Sequence, residues 1–334
     1  MDNRISARQL CVAAFTGLLA PAAAAAGGDW RGALLAVPVV VLAVWAGCAA
    51  AARPGGLSAL LRHGWGKVLA LLYIVWGVLA AGTGLALCGQ RLSSAAGNGN
   101  SAGWMLLLAF LPVFWLAASK AEAFARAGEI FYLAMGVVLA GVTLLGLRQV
   151  EVGYLFLEGA GFWSSFRTAA GIGCLSIYAV LLWNGEGTGE TKRWLGWSAA
   201  GALTLTLLCV LTVGSLSPAL VGLSEEPFFL MTVGLGRTAR AEALVAVLWL
   251  LSDVTFPALL LHAGRHLCGR VFSIQKGKRA GIVLALLALA AGYGALYLGD
   301  PVEILEEILA PGTLILGGLF PCIVWVFEKK KKTD

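Results

Sequence analysis

Thr16-Gly17-Leu18-Leu19-Ala20-Pro21 and Gly171-Ile172-Gly173-Cys174-Leu175-Ser176 are the stretches on which the fold of this chain turns. Each puts helix-weakening residues inside an apolar run: proline removes a backbone donor, and glycine gives up conformational order reluctantly. Where a helix unwinds inside a bilayer, the freed N–H and C=O groups must be satisfied by protein, water or a ligand. Two interruptions at matching places, in the first and sixth hydrophobic segments, therefore predict a buried small-molecule site between them.

The surrounding composition supplies the bilayer. Of 334 residues, 59% are hydrophobic and only 13% charged, with 44 glycines; mean hydropathy is +0.85. Such a chain has too little polar surface to cover itself in water and is an integral membrane protein. The alternative for the first apolar run is a secretory leader ending at the alanine-rich stretch 21–26. Against it, that stretch leads straight into further spans. About 20 apolar residues of helix cross a bilayer core. That ruler gives ten spans, at 6–26, 32–52, 66–90, 103–118, 124–147, 166–184, 196–220, 238–263, 279–298 and 308–327, with short connections between them.

Charge orients the spans, because cytoplasmic loops retain Lys and Arg. With the N-terminus inside, 18 of the 24 basic residues fall on the cytoplasmic side, including Lys329 and the lysines that follow it. The outer side receives Arg31, Arg91, Arg148, Arg167, Arg237 and Arg240, among acidic residues that include Asp29, Glu225, Glu226, Asp300, Glu306 and Glu307. Both termini are thus expected in the cytoplasm. The net charge of +6 is explained without nucleic acid, and the terminal lysine run reads as an anchor that attracts anionic lipid.

Little else in the sequence carries chemistry. The seven cysteines are scattered singly in apolar spans and read as small buried hydrophobes. His262 and His266 lie one turn apart but beside Arg265 and Arg270, at the cytoplasmic end of the eighth span, where solvation is the simpler role than metal binding. His63 stands alone. No GxSxG, HExxH or GxxxxGKS pattern occurs. No enzyme, cofactor or metal site is expected.

Ionisable residues within spans are the remaining signal, because a charge at a helix centre costs about 2.5–3.5 kcal/mol on insertion scales. Asp253 lies near the middle of the eighth span, one turn before Pro257. It is either a coupling-ion, proton or amine contact, or a hydrogen-bonded carboxyl facing a wet cleft. Glu242 shares its helical face but lies about 16 Å away along the axis, at the outer boundary. Glu122, Arg126 and Glu129 open the fifth span at ion-pair spacing, which suits a cytoplasmic-end network or a gate. Tyr73 and Trp76 in the third span are polar-tipped aromatics suited to closing over a ligand or to packing.

Several short motifs together resemble a known family. Ile5-Ser6 with Gln9, the interruption from Gly17 to Pro21, Gly28-Asp29-Trp30, the Arg126 and Glu129 pair, and Arg240-Ala241-Glu242 followed by Trp249 are similar to the spore germination receptor B subunits. These are germinant permease-like proteins of the amino acid, polyamine and organocation transporter superfamily. The resemblance implies an all-α integral membrane fold of ten transmembrane helices. It is the leucine-transporter-like 5+5 inverted repeat with helices 1 and 6 broken, here over 1–148 and 160–328 of a single domain spanning 1–334. The chain departs from the family in being short, rich in Ala and Gly, and without an acidic residue midway along the sixth span.

By that resemblance, an amino acid or similar germinant binds near Thr16, Gly17, Ala20 and Pro21 beside Gly171, Gly173 and Ser176, with Tyr73, Ser252 and Thr255 contributing from spans three and eight. Asp253, Glu129, Arg126 and Glu242 are the coupling or gating candidates. The implied role is a sensing subunit in the spore inner membrane, working with A- and C-type receptor subunits. The alternative is a proton-coupled secondary transporter of amino acids or amines.

Overall fold

A computed structural model describes residues 5–52, 57–58, 61–62, 64–96, 101–157, 161–183, 190–224, 226–235, 240–274 and 277–330. His63, Glu225 and Arg237 lie outside these, as do the side chains of Arg240 and Glu242. The chain is all-helical: α1 Ala7–Ala24, α2 Trp30–Ala51, α3 Trp65–Ala96, α4 Ala102–Ala118 and α5 Ala121–Gly146 form its first half. A 3₁₀ turn at Val152–Phe156 leads to α6 Phe162–Cys174, α7 Ile177–Leu182, α8 Thr191–Leu223, α9 Pro227–Leu235, α10 Arg240–Val271 and α11 Gly277–Leu298. The final helix, α12, runs from Pro301 to Lys330 in five pieces, two of them π-helical at Ile304–Leu309 and Leu314–Leu319.

Among the described residues, nine helical segments are long and apolar enough to cross a bilayer, with α6 and α7 counting as one, and the shorter Ala102–Ala118 makes the tenth expected span. Burial sorts them. The segment Phe162–Leu182 is 89% buried, Ala7–Ala24 78% and Val245–Val271 72%, whereas Ala121–Gly146 is 22% buried. Helices α1, α6–α7 and α10 are therefore the centre of the bundle, and α5 presents Ile130, Leu133, Val137 and Leu144 outward as a lipid-facing surface.

The N-terminal motifs of the family resemblance are joints in the fold. Ser6 Oγ accepts from Gln9 N at 3.2 Å while Ser6 N donates to Gln9 Oε1 at 3.3 Å, a capping box that starts α1. Asp29 caps α2, accepting from Arg31 N at 2.8 Å, and its own N–H donates to Ser165 Oγ of α6 at 2.7 Å. Trp30 Nε1 donates to Leu155 O at 3.1 Å, tying the α1–α2 corner to the 3₁₀ turn.

The interruptions fall differently from expectation. In the sixth segment α6 stops at Cys174 and α7 starts at Ile177, with Leu175 and Ser176 as the joint. Helix α1, however, is continuous through Thr16–Pro21, which corrects the expected break there. Pro21 has no N–H to give the carbonyl of Gly17, yet the helix stays regular; Ser252 Oγ of α10 donates to the neighbouring Thr16 O at 2.6 Å and stands 3.4 Å from Gly17 O.

A sharper interruption lies in α8. Ser217 has φ 64° and ψ 152°, immediately before Pro218. The proline leaves the carbonyl of Gly214 without its helical partner, and Glu151 N donates to that oxygen at 2.9 Å.

Candidate ligand site

The predicted site residues divide by which face of α1 they touch. On the α10 face, space is filled. A Cβ on Gly17 would sit 3.1 Å from Phe256 Cα, so this glycine lets two helix backbones approach. Thr16, Ser252 and Thr255 are buried there; Ser252 serves Thr16 O, Thr255 Oγ1 donates to Leu251 O at 2.6 Å, and Thr16 Oγ1 has no partner. Ala20 and Pro21 are buried in the same continuous helix. Tyr73 is also fully packed, donating to Leu316 O and standing edge-on to Tyr178 and Phe320. Trp76 Nε1 donates to Thr313 Oγ1 at 3.0 Å.

Around α6, Gly171 and Gly173 are both contacts, because a Cβ would collide with the backbone of Ala310 at the first and with the Val40 side chain at the second. Gly173 and Ser176 nonetheless border a space shared with Ala14 and Leu18 of α1, Val44 of α2 and Trp197 of α8. It is apolar and holds about 30 Å³, room for about one water. Ser176 Oγ donates to Gly173 O at 2.7 Å and so covers a carbonyl next to the α6–α7 joint.

Two larger spaces continue this seam toward the end of the bundle where α1 stops. The first, about 220 Å³, shares Ala169 and Leu205 with the apolar space and is bordered by Gly28, Ser164, Thr168 and Glu306. The second, about 300 Å³, shares Gly27, Gly28, Val221 and Gly222 with the first and reaches Asp29, Trp30 and Arg31. At this rim the Asp29 carboxylate is 2.7 Å from Arg31 Nη2. Partial burial works to raise its pKa, but the Arg31 side chain and the backbone N–H groups of Arg31 and Gly32 outweigh burial and hold it below the usual carboxylate range.

The coupling candidates lie elsewhere. Asp253 faces α3, where Arg91 Nη1 donates to its two carboxylate oxygens at 2.5 and 2.7 Å. Arg91 also donates through Nε and Nη2 to Glu226, each at 3.2 Å, and its guanidinium lies 4.4 Å from the centre of the Phe229 ring. Asp253 is thus a hydrogen-bonded carboxyl, but one that is 4% exposed and paired with Arg91 rather than facing a wet cleft. Arg91 and Glu226 both appear on the outer side in the charge assignment, but nothing in their spacing connected them to Asp253. Glu129 accepts from Gln9 Nε2 of α1 at 3.3 Å, and Arg126 is exposed. The opening of α5 is thus joined to the start of α1. His262 is buried, its Nε2 3.0 Å from Leu116 O and its ring against Phe124.

No family model matches the chain, and no curated protein matches it. Solved structures do. The chain is similar to MhsT in complex with L-phenylalanine, with a TM-score of 0.64 at 15% identity, covering 96% of this chain and 90% of that one. It is also similar to Mhp1, a nucleobase-cation-symport-1 family transporter in a closed conformation with bromovinylhydantoin bound, with a TM-score of 0.61 at 17% identity over 92% of this chain and 75% of that one. These likenesses establish the fold: the chain has the leucine-transporter-like architecture and is a multi-pass membrane protein.

Proposed function

We propose that the chain is the membrane-embedded sensing subunit of a spore germination receptor. It takes an amino-acid-like small molecule at the α1–α6 seam from the outer side of the spore inner membrane. Both termini are cytoplasmic, A- and C-type subunits are the partners, and 1–148 and 160–328 are the two inverted repeats. One observation carries the choice of sensing over coupled transport. The connected spaces follow the α1–α6 seam, whereas Asp253, the buried carboxylate suited to proton coupling, faces α3 and is held by Arg91. A carboxylate clamped by a guanidinium acts as a fixed structural counter-ion.

A second reading, a proton-coupled amino acid or amine transporter, is favoured by the overlay on a nucleobase-cation-symport-1 family transporter across 92% of the chain. Reconstitution of the purified chain in proteoliposomes, with a panel of labelled amino acids, separates the two. Sensing predicts saturable binding with no time-dependent accumulation under a proton gradient. Concentrative uptake that collapses in Asp253→Asn would replace it with the transporter reading.

A further inference from the structure

The middle space of the seam has a chemistry of its own. It lies where two helix ends converge, the C-terminus of α1 at Ala24–Gly28 and the first turn of α6 at Ser164 and Ser165. Among the described residues that border it, Glu306 is the only one that carries a charge. Glu306 makes no hydrogen bond or ion pair with any described residue, since Arg167, the nearest guanidinium on α6, donates through Nη2 to Glu307 at 2.9 Å. Thr168, 3% exposed, borders the same space, and its Oγ1 has no partner. A buried hydroxyl without a hydrogen bond is costly, and in a polar space of this size a guest is the natural partner. Glu306 itself sits in the π-helical turn Ile304–Leu309, a departure from α-helix that is frequent at functional sites.

The end of α1 carries partial negative charge and Glu306 a formal one, and no described Lys, Arg or His borders the cavity; the opposing charge is the partial positive N-terminus of α6. From this convergence we infer that the cavity binds a small organic ammonium ion, with Glu306 as its counter-charge and Thr168 Oγ1 accepting one of its N–H donors. A volume of about 220 Å³ admits a molecule of several heavy atoms. The adjoining space of about 300 Å³, rimmed by Asp29, is the entry from the end of the bundle. Where the guest is an amino acid, the first turn of α6 presents backbone N–H groups to its carboxylate. The inference deepens the sensing proposal by naming the ligand class of the seam, and it rests on that proposal only for the consequence of binding.

The test uses the full chain in nanodiscs and follows the thermal midpoint as ethylammonium chloride is added, against equal sodium chloride and equal sodium propionate. Ethylammonium should raise the midpoint saturably, and the two sodium salts should not. Glu306→Gln should weaken the apparent affinity at least tenfold, Thr168→Val about threefold, and Ala169→Leu, which fills the cavity, should remove the response. Each variant is first compared without ligand for midpoint and monodispersity. Ala169→Leu keeps the proposal exposed if Glu306→Gln proves unstable. A response equal in wild type and Glu306→Gln overturns the inference, as does stabilisation by sodium alone or a preference for propionate. If Ala169→Leu abolishes binding of a labelled amino acid while Glu306→Gln leaves it intact, the seam remains the sensing site and the ammonium assignment falls. Absence of any binding removes both.

Discussion

Ser252 stands where α10 crosses α1, and its hydroxyl faces the carbonyls of Thr16 and Gly17. Pro21 makes that position matter, because it leaves Gly17 O without its own helical donor. Ser252→Ala should cost about 1 kcal/mol, the net worth of its buried hydrogen bond to Thr16 O with the weaker contact to Gly17 O, read as a lower thermal midpoint in detergent. Pro21→Ala restores an N–H to the helix, so in its background Ser252→Ala should cost measurably less. Additive effects of the two substitutions would mean that the hydroxyl is not covering the proline gap. The same residue scale explains why Gly17 fails as a probe of a pocket. Its missing Cβ makes room for Phe256, so enlarging it acts through helix packing rather than through a ligand.

At the scale of elements, the interruption that matters for backbone geometry is in α8. Ser217 adopts φ 64°, a region costly for any residue with a Cβ, just before a proline that already disfavours the helical region there. Ser217→Gly should stabilise the protein by about 1 kcal/mol, seen as a raised thermal midpoint; a lowered midpoint would mean that the serine hydroxyl contributes more than the strain costs. The kink also turns the end of α8 toward the α1–α2 corner, so that Val221 and Gly222 border both outer spaces of the seam. In this way one Ser-Pro pair helps shape the outer end of the seam.

Across the whole molecule, the Arg91 cluster ties α3 to α10 and to Glu226 just before α9. Removing one member of a buried ion pair strands the other, so Arg91→Met alone should destabilise by about 3–5 kcal/mol. Arg91→Met combined with Asp253→Leu should recover most of that loss, since an apolar pair of similar volume needs no compensation in the bundle interior. Denaturation midpoints of the two variants decide it. Failure of the double variant to recover would mean that the charges also hold Glu226 and its neighbours in place.

Composition and the length of the apolar runs were enough to determine the membrane class and the ten spans, because a bilayer imposes one length and one polarity on every crossing segment, whereas the transporter-like architecture was implied only by the resemblance of short motifs to a family. Serine and proline at 217 and 218 lie in the seventh span, where no break was expected. How each orphaned carbonyl is met was decided only by tertiary contacts: Gly17 O has the Ser252 hydroxyl 3.4 Å away, and Gly214 O accepts from Glu151 N at 2.9 Å. Likewise, Asp253 was legible as an expensive charge, while its partner Arg91, 162 residues distant, was not. Nor were Thr168 and Glu306 legible as neighbours of one cavity. Periodicity and hydropathy report what a segment needs from its surroundings, and only the packed bundle settles which distant residue supplies it.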